Sequence, residues 1–281
     1  MINVVRLGIL KAGCIGTLSL LEFLLDERAE RTDIDVRVIG SGSKIGLVQC
    51  KEIVNTMLIQ TFDLIVFVGP SQTTSGPTEI RSKIAATGIP AIVISDSVAK
   101  KITQEIEAEG LGYIVVEADS MIGARREFLD PTEVAVYNSD VLKVLAITGA
   151  LNVVISEIDK VIESIKEGKK PELPKIVVDG EKAIWASEFS NPYAKAKAQA
   201  AYEIAKRVAV INTEACFKIQ DWKTYLPAVA TAHEMMRAAA KMADEAREIE
   251  KKSDSVHRRP HFDDGTTGAK KSLMEKPRKE E

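Results

Sequence analysis

The stretch Leu10-Lys11-Ala12-Gly13-Cys14-Ile15-Gly16-Thr17 leads directly from a short apolar run into a helix-compatible one. Gly13 and Gly16 would leave backbone N–H groups at a helix N-terminus, which favours an anion such as a phosphate. A plain tight turn between strand and helix is the alternative. The dinucleotide fingerprint needs three glycines as G-x-G-x-x-G, and Lys11 holds the first of those places. It also needs an acid for the ribose after the second strand, where the sequence reads Gly40-Ser41-Gly42. No G-K-[ST] follows for a nucleoside triphosphate. The first and third apolar runs end in Leu10-Lys11 and Val68-Gly69, not in the acids of a response regulator. This loop suits a phosphodiester, but not in the usual nicotinamide manner.

Other residues with chemical potential lie farther along. Arg125 and Arg126, in MIGARREFLDP, suit a clamp for a carboxylate or a planar ring, or form a solvated or salt-bridged pair. Asp130 before Pro131 reads as a helix N-cap, with a ligand contact as the alternative. His233-Glu234 opens like a zinc motif, but Arg237 stands where the second histidine belongs, so no metal site is expected. His233 then reads as a core histidine of a helix. Cys14 sits at a helix start, where a thiol pKa falls, yet no histidine is near in sequence to make it a nucleophile. His257 and His261 fall in the tail and look incidental.

Positioning these residues requires a sheet with helices on both sides. Short β-rich runs at 4–10, 35–39, 64–68, 91–94 and 113–116 alternate with helix-compatible stretches at 18–31, 48–60, 78–87 and 98–109. Several runs are apolar at consecutive positions, as in LIVFVG and AIVIS, the pattern of parallel strands buried on both faces. The fold class is therefore α/β, a parallel sheet flanked by helices, with ligands expected beyond the carboxyl ends of the strands. Those ends are the loops at 11–17, 40–46, 69–77, 95–97 and 117–126.

After Asp130-Pro131 the apolar period becomes helical, running to Gly168 with a break at Gly149. A short strand is expected at 175–178, and Ala-rich helices at 192–210 and 227–252 form an associated helical bundle. The expected organisation is an α/β coenzyme-binding domain over 1–130, a helical part over 131–252 with the strand as an insertion, and an extended tail over 253–281 that orders by docking.

The chain has 281 residues, 45% of them hydrophobic and 28% charged, the composition of a globular protein. A net charge of −3 disfavours a general nucleic-acid binder, and no run of about 20 apolar residues suggests a membrane span. Three widely spaced cysteines (Cys14, Cys50, Cys216) make neither a disulfide framework nor a metal quartet, which points to a reducing cytoplasm.

Several blocks together carry a resemblance over nearly the whole chain: KAGCIGT, LLDERAERTDIDVRVIGSG, GLGYIVVEAD, MIGARREFLDPTE, NPYAKAKA, TAHEMMRAAAKMADEAREIEK and LMEKP. They resemble the archaeal methylenetetrahydromethanopterin dehydrogenases that use coenzyme F420, an 8-hydroxy-5-deazaflavin. Two loops depart from that family's pattern. Residues 70–77 read PSQTTSGP where a proline- and asparagine-rich P-N-P-A-A-P-G-P is expected, and Ser95-Asp96-Ser97-Val98-Ala99 replaces G-D-A-P-G.

The resemblance implies reversible hydride transfer between methylenetetrahydromethanopterin and C5 of the deazaflavin, a place in methanogenesis or related one-carbon metabolism, and a cytoplasmic homo-oligomer, a hexamer in the family. It implies F420 as a dissociable co-substrate, no metal, and neither nucleic acid nor membrane as a partner. Lys11, Gly13, Cys14, Ile15, Gly16 and Thr17 are then expected on the coenzyme side, with Ser41, Gly42 and Gly76 nearby. Arg125, Arg126, His233 and Arg237 are expected on the pterin side. Asp130, with Asp96 behind it, is the candidate carboxylate for the cationic methenyl product. The rivals are another deazaflavin- or nicotinamide-dependent reductase, and a regulatory paralogue that binds the coenzyme without turnover. The altered loop at 70–77 is the feature that favours the last.

Overall fold

The computed structural model describes residues 4–24, 30–120 and 127–279, with the side chains of 22–24 outside that description. Strands β1 (Val5–Lys11), β2 (Ile34–Gly40), β3 (Leu64–Val68), β4 (Ala91–Asp96), β5 (Gly112–Val116) and β6 (Lys175–Val178) form one sheet. Their order is β2-β1-β3-β4-β5-β6, and every pairing is parallel. The chain leaves β1 toward one edge and returns past it to build β3 on the other side. The carboxyl ends of β1 and β3 therefore flank the topological switch point, the usual ligand crevice of such sheets.

The apolar runs are consecutive because successive side chains enter different cores. In β3, Leu64, Val66 and Val68 face one helical layer, while Ile65 and Phe67 face the other. The second layer holds α2 (Leu47–Met57), α3 (Ser75–Ala85) and α4 (Thr103–Ala108), the last preceded by a 3₁₀ turn at Ser97–Ile102. The first layer begins with α1 (Gly16–Leu24) and is completed by the C-terminal helices.

Those helices are α5 (Pro131–Ile147), α6 (Ala150–Lys166), α7 (Gly180–Ser187), α8 (Pro192–Phe217) and α9 (Trp222–Lys252). The break at Gly149 is a bend of 65° between α5 and α6. Gly149 has φ +88°, and a Cβ there would lie 2.2 Å from Ala183 O, so both conformation and contact call for glycine. Buried alanines line the facing surfaces of α8 and α9, among them Ala201, Ala205, Ala239 and Ala243, as the Ala-rich pattern predicted.

Three features differ from the sequence expectation. Residues 175–178 are the sixth strand of the main sheet rather than an insertion in the helical part, so the side chains around 130 and beyond share one core with the sheet. Helix α7 was not foreseen; Asp179 caps it by accepting from Lys182 N at 2.9 Å. Helix α9 starts before Pro227, because Asp221 caps the first turn and Tyr225 and Val229 bury against Ala215. The tail returns to the body: Thr32 N donates to Asp263 O at 2.8 Å, and His261 lies 2.7 Å from Asp159 of α6.

Candidate functional site

At the switch point three loops stack on one another. Ala12 N donates to Val68 O, Gly69 N to Ile94 O and Ser41 N to Lys11 O, each at 3.0–3.1 Å. Gly13, at φ +77°, accommodates Ile45, whose side chain would be 2.6 Å from a Cβ there. A Cβ on Gly69 would meet Ala12 O at 2.4 Å. Gly69 is therefore glycine because one loop backbone packs directly on another, and Gly13 because a neighbouring loop's side chain fills the space.

The start of α1 departs from expectation. Gly16 N donates to Asp119 Oδ1 at 2.6 Å and Thr17 N to Asp119 Oδ2 at 2.8 Å, and the Thr17 hydroxyl donates to the same carboxylate. The anion at this helix N-terminus is thus the chain's own, supplied from just beyond β5. Gly16 serves packing, since a Cβ would meet Val141 at 2.6 Å and Leu145 at 2.9 Å on α5. Ile15 and Thr17 are buried in the body, whereas Lys11 and Cys14 are half-exposed at the crevice. Burial pushes the Cys14 thiol up, against the pull of Lys11, contrary to the lowering expected of a helix start.

Beside the crevice a cavity of about 520 Å³ is lined by residues 40–44 with Gln49, Glu52 and Ile53. Gly42, at φ +64°, has open space where a Cβ would project. Ser41 Oγ donates to Lys44 O at 2.5 Å, bracing the loop. Among the described residues no side chain caps α2 at Gly46, so its first-turn amides open beside Lys44, with Glu52 one turn on in the same cavity wall. Gly76 does not face this cavity; it is buried beneath Ile45 O.

The departing loop at 70–77 is a built structure. Gln72 Nε2 donates to Gly69 O at 2.9 Å, the Ser95 hydroxyl donates to the same oxygen at 2.8 Å, and buried Arg81 donates to Gln72 O. Next to it, burial and the neighbouring Asp119 carboxylate push Asp96 up to about 7, against the amides of Val98 and Ser71. Asp119 itself is raised by burial to about 6. A carboxyl raised in the folded state holds a proton that the unfolded chain releases. Its favourable contribution is complete below about pH 4 and is lost as pH rises through about 7. Asp96→Asn is accordingly expected to stabilise the protein at pH 8 by up to about 4 kcal/mol and to have little effect at pH 4. Urea denaturation at the two pH values checks this; an equal effect at both would show that ionisation of Asp96 is not what the substitution relieves.

The second half of the site is built on α5, α8 and α9. Asp130 caps α5 by accepting from Glu133 N at 2.8 Å, and its carboxylate is exposed. Glu133 Oε1 lies 2.7 Å from His233 Nδ1. A carboxylate only accepts, so this pairing places the proton on Nδ1 and makes Nε2 an acceptor. The His233 ring stacks on Tyr137 at 4.1 Å and meets the edge of Phe128 at 4.8 Å. Burial lowers the His233 pKa, outweighing the opposing pull of Glu133, so the ring is neutral. Its Nε2 is buried and has no hydrogen-bond partner among the described residues. The Tyr137 hydroxyl takes a hydrogen bond from Asn212 Nδ2 at 2.6 Å and pairs with the Ser120 hydroxyl. Arg237 lies at the surface, 3.2 Å from Glu234. Arg125 and Arg126 fall outside the described residues.

Two consecutive residues after β5 therefore join the halves, Asp119 to α1 and Ser120 to Tyr137 of α5. Sequence reasoning missed Asp119, Glu133, Tyr137 and Asn212. Glu133 carried a signal, as the acid three residues after an N-cap in Asp130-Pro131-Thr132-Glu133. Asp119 lay in a loop already marked as a strand end, but nothing local pairs it with Gly16. Among the described residues, no three His, Cys, Asp or Glu side chains are grouped to hold a metal ion.

The family described as methylene-5,6,7,8-tetrahydromethanopterin dehydrogenase matches residues 5–278. The F420-dependent methylenetetrahydromethanopterin dehydrogenase of Methanothermobacter marburgensis is 53% identical over 274 residues, 98% of this chain and 99% of that one. The enzyme of the same name from Archaeoglobus fulgidus is 55% identical over 276 residues, with the same coverage. A solved F420-dependent methylene-tetrahydromethanopterin dehydrogenase, in complex with methylene-tetrahydromethanopterin and coenzyme F420, superimposes with a TM-score of 0.94. It is 45% identical, over 98% of this chain and 100% of that one.

Proposed function

This chain belongs to the methylene-tetrahydromethanopterin dehydrogenase family, and we propose that its substrates meet over the carboxyl edge of the sheet, the coenzyme beside β1 and β3 and the pterin beside α5 and α9. The chain is an oxidoreductase. It moves a hydride reversibly from 5,10-methylenetetrahydromethanopterin to coenzyme F420, giving methenyltetrahydromethanopterin and reduced F420 in methanogenic one-carbon metabolism. The observation that carries this is the full-length likeness to the ligand-bound dehydrogenase.

The residues present fit the coenzyme. Its tail carries a phosphodiester and glutamyl carboxylates but no adenosine. The loop at 40–44, with Lys44 and the first turn of α2 around an open cavity, offers donors to that tail, with Glu52 on the far wall, and β2 itself ends in Gly40-Ser41-Gly42 rather than in an acid. Lys11, Cys14, Ser41 and Gly42 edge the same crevice. When bound, the deazaflavin supplies the two-electron acceptor.

The protein has no proton to remove from carbon, because the lone pairs of two ring nitrogens drive the hydride off the methylene group. What it must do is hold two rings at near-attack distance, which can lower a barrier by up to about 7–11 kcal/mol. The aromatic wall of Phe128, His233 and Tyr137 and the acids Asp130 and Glu133 suit the pterin side. The exposed carboxylate of Asp130 suits the charge that develops on the methenyl product, and His233, with Nε2 buried, shapes the aromatic wall behind it. Arg237, and Arg125 and Arg126 beside them in sequence order, complete the set proposed for that side.

Mixing the purified protein with oxidised F420 and methylenetetrahydromethanopterin is expected to bleach the deazaflavin absorbance, with no turnover when NAD or NADP replaces F420. Binding of F420 without bleaching would favour the regulatory paralogue.

A cytoplasmic hexamer goes with this reading. Exposed Trp185, Tyr193, Phe217 and Trp222 on α7–α9 supply apolar surface for contacts between copies. Among the described residues no single helix is long and apolar enough to cross a membrane. Light scattering that returned the mass of a single chain would remove the hexamer.

A further inference from the structure

A glutamate three residues after an N-cap ordinarily folds back to bond the N-cap amide, closing a capping box. In α5 half of that box is built: Asp130 Oδ1 accepts from Glu133 N at 2.8 Å. The Glu133 carboxylate turns the other way, across to α9, where His233 Nδ1 lies 2.7 Å from Oε1. The imidazole is itself clamped. It stacks on Tyr137 at 4.1 Å, Phe128 meets it edge-on at 4.8 Å, and the Tyr137 hydroxyl is fixed by Asn212 and Ser120. His233 is buried, whereas the Glu133 side chain keeps 28% exposure beside the exposed Asp130.

Two features separate this pair from ordinary packing. Nε2 is buried with no hydrogen-bond partner among the described residues, a costly defect that a phenylalanine in the same stack would avoid. What imidazole adds over phenylalanine is the Nδ1–H, and that proton goes to Glu133. The second feature is charge. A lysine or arginine would hold the carboxylate but cancel its charge. Burial keeps the His233 ring neutral, against the pull of Glu133, so the ring orients the carboxylate and leaves its charge uncancelled. Arg237, one turn along α9, pairs instead with Glu234 at the surface.

We propose that His233 is a positioning residue for the hydride transfer: its Nδ1–H holds the Glu133 carboxylate at the start of α5 as a fixed negative charge beside the carbon that becomes the methenyl cation. The inference rests on the reading that the pterin binds beside α5 and α9. Glu133 then adds to Asp130, which stands on the same helical turn. A charge already fixed needs no reorganisation as the cation forms, whereas an untethered glutamate would swing into water. The hydride passes to F420 as before, and no proton moves through the His233–Glu133 pair.

The experiment measures kcat, pterin KM and Tm in full-length wild type, His233→Phe, His233→Asn, Glu133→Gln and the Glu133→Gln/His233→Phe double variant. Phenylalanine keeps the stack and removes the donor and the orphaned acceptor. Asparagine returns a donor near the Nδ1 position but removes the ring. The expected result is that His233→Phe melts no lower than the wild type yet loses at least about tenfold in kcat, with pterin KM within about threefold. His233→Asn should melt lower yet recover kcat to within about threefold of the wild type. Glu133→Gln should lose at least about tenfold in kcat, and adding His233→Phe to it should cost less than about twofold more, because the histidine acts only through that carboxylate. A merely structural histidine would make kcat follow Tm across the series, and that result overturns the proposal. So does a double variant whose losses multiply. If His233→Phe does not fold, a His233→Asn protein that stays at least about tenfold down in kcat overturns it. Wild-type kcat in His233→Phe with loss in Glu133→Gln ends the positioning role but keeps the pterin beside α5. Wild-type kcat in both ends the underlying reading as well, by moving the pterin elsewhere.

Discussion

An alanine at Gly76 is expected to weaken F420-dependent turnover severely, through the coenzyme KM or through the fold. Its Cβ would lie 2.1 Å from the Ile45 carbonyl oxygen and 2.7 Å from Cys50 Sγ. The first obstacle is backbone, and it belongs to the 40–46 loop beside the proposed coenzyme cavity, so neither side of the clash can rotate away. Either the start of α3 or the 40–46 loop must move, and an overpacked core position of this kind costs about 1–3 kcal/mol or more. The expected outcome is a folded fraction with at least about a tenfold higher F420 KM, or no soluble protein. Gly88→Ala is the control: Gly88 also has a special backbone, at φ +70°, but open space around it and no part in the crevice. It should cost about 1 kcal/mol and leave KM alone. A folded Gly76→Ala protein with an unaltered KM would show that the stacking of these loops does not shape the coenzyme site.

The second large effect concerns Asp130. Because its carboxylate caps α5, replacement by alanine confounds loss of the cap with loss of charge. Asparagine separates them, being as good an N-cap as aspartate while carrying no charge. Asp130→Asn is therefore expected to melt close to the wild type and to lose about tenfold to a hundredfold in kcat, a barrier increase of about 1.4–2.7 kcal/mol. The substrate KM should change less, since the charge matters most where the methenyl cation forms. Alanine should lose the same activity plus about 1 kcal/mol of stability. If the asparagine variant keeps kcat within twofold, Asp130 is a helix cap and the pterin-facing charge resides elsewhere, with Glu133 next to be tried.

Both experiments depend on features of unequal visibility. The asparagine test concerns a residue whose capping role could be inferred locally, from Asp before Pro at the start of a helical period. The alanine test concerns a glycine whose partner, Ile45, is thirty-one positions earlier and joined to it by no pattern. The same division runs through the site. His233 read as a buried helical residue from its surroundings, and it is one, but its pairing with Glu133 spans 100 positions. The 11–17 loop was correctly located at a strand end, yet its amides face the chain's own acid instead of waiting for a ligand.

Read on its own, the chain specifies layers and periods: consecutive apolar strands must be covered on both faces, alanine-lined helices must pack closely, and proline and glycine mark helix boundaries. Those rules act within a segment, because burial of a face and backbone propensity are local costs. The strand order, the recruitment of residues 175–178 as β6, and the Asp119–Gly16 bond 103 positions apart were settled only when the sheet closed its edge. Many distant donors and acceptors are chemically equivalent before folding, and packing geometry alone selects which of them meet.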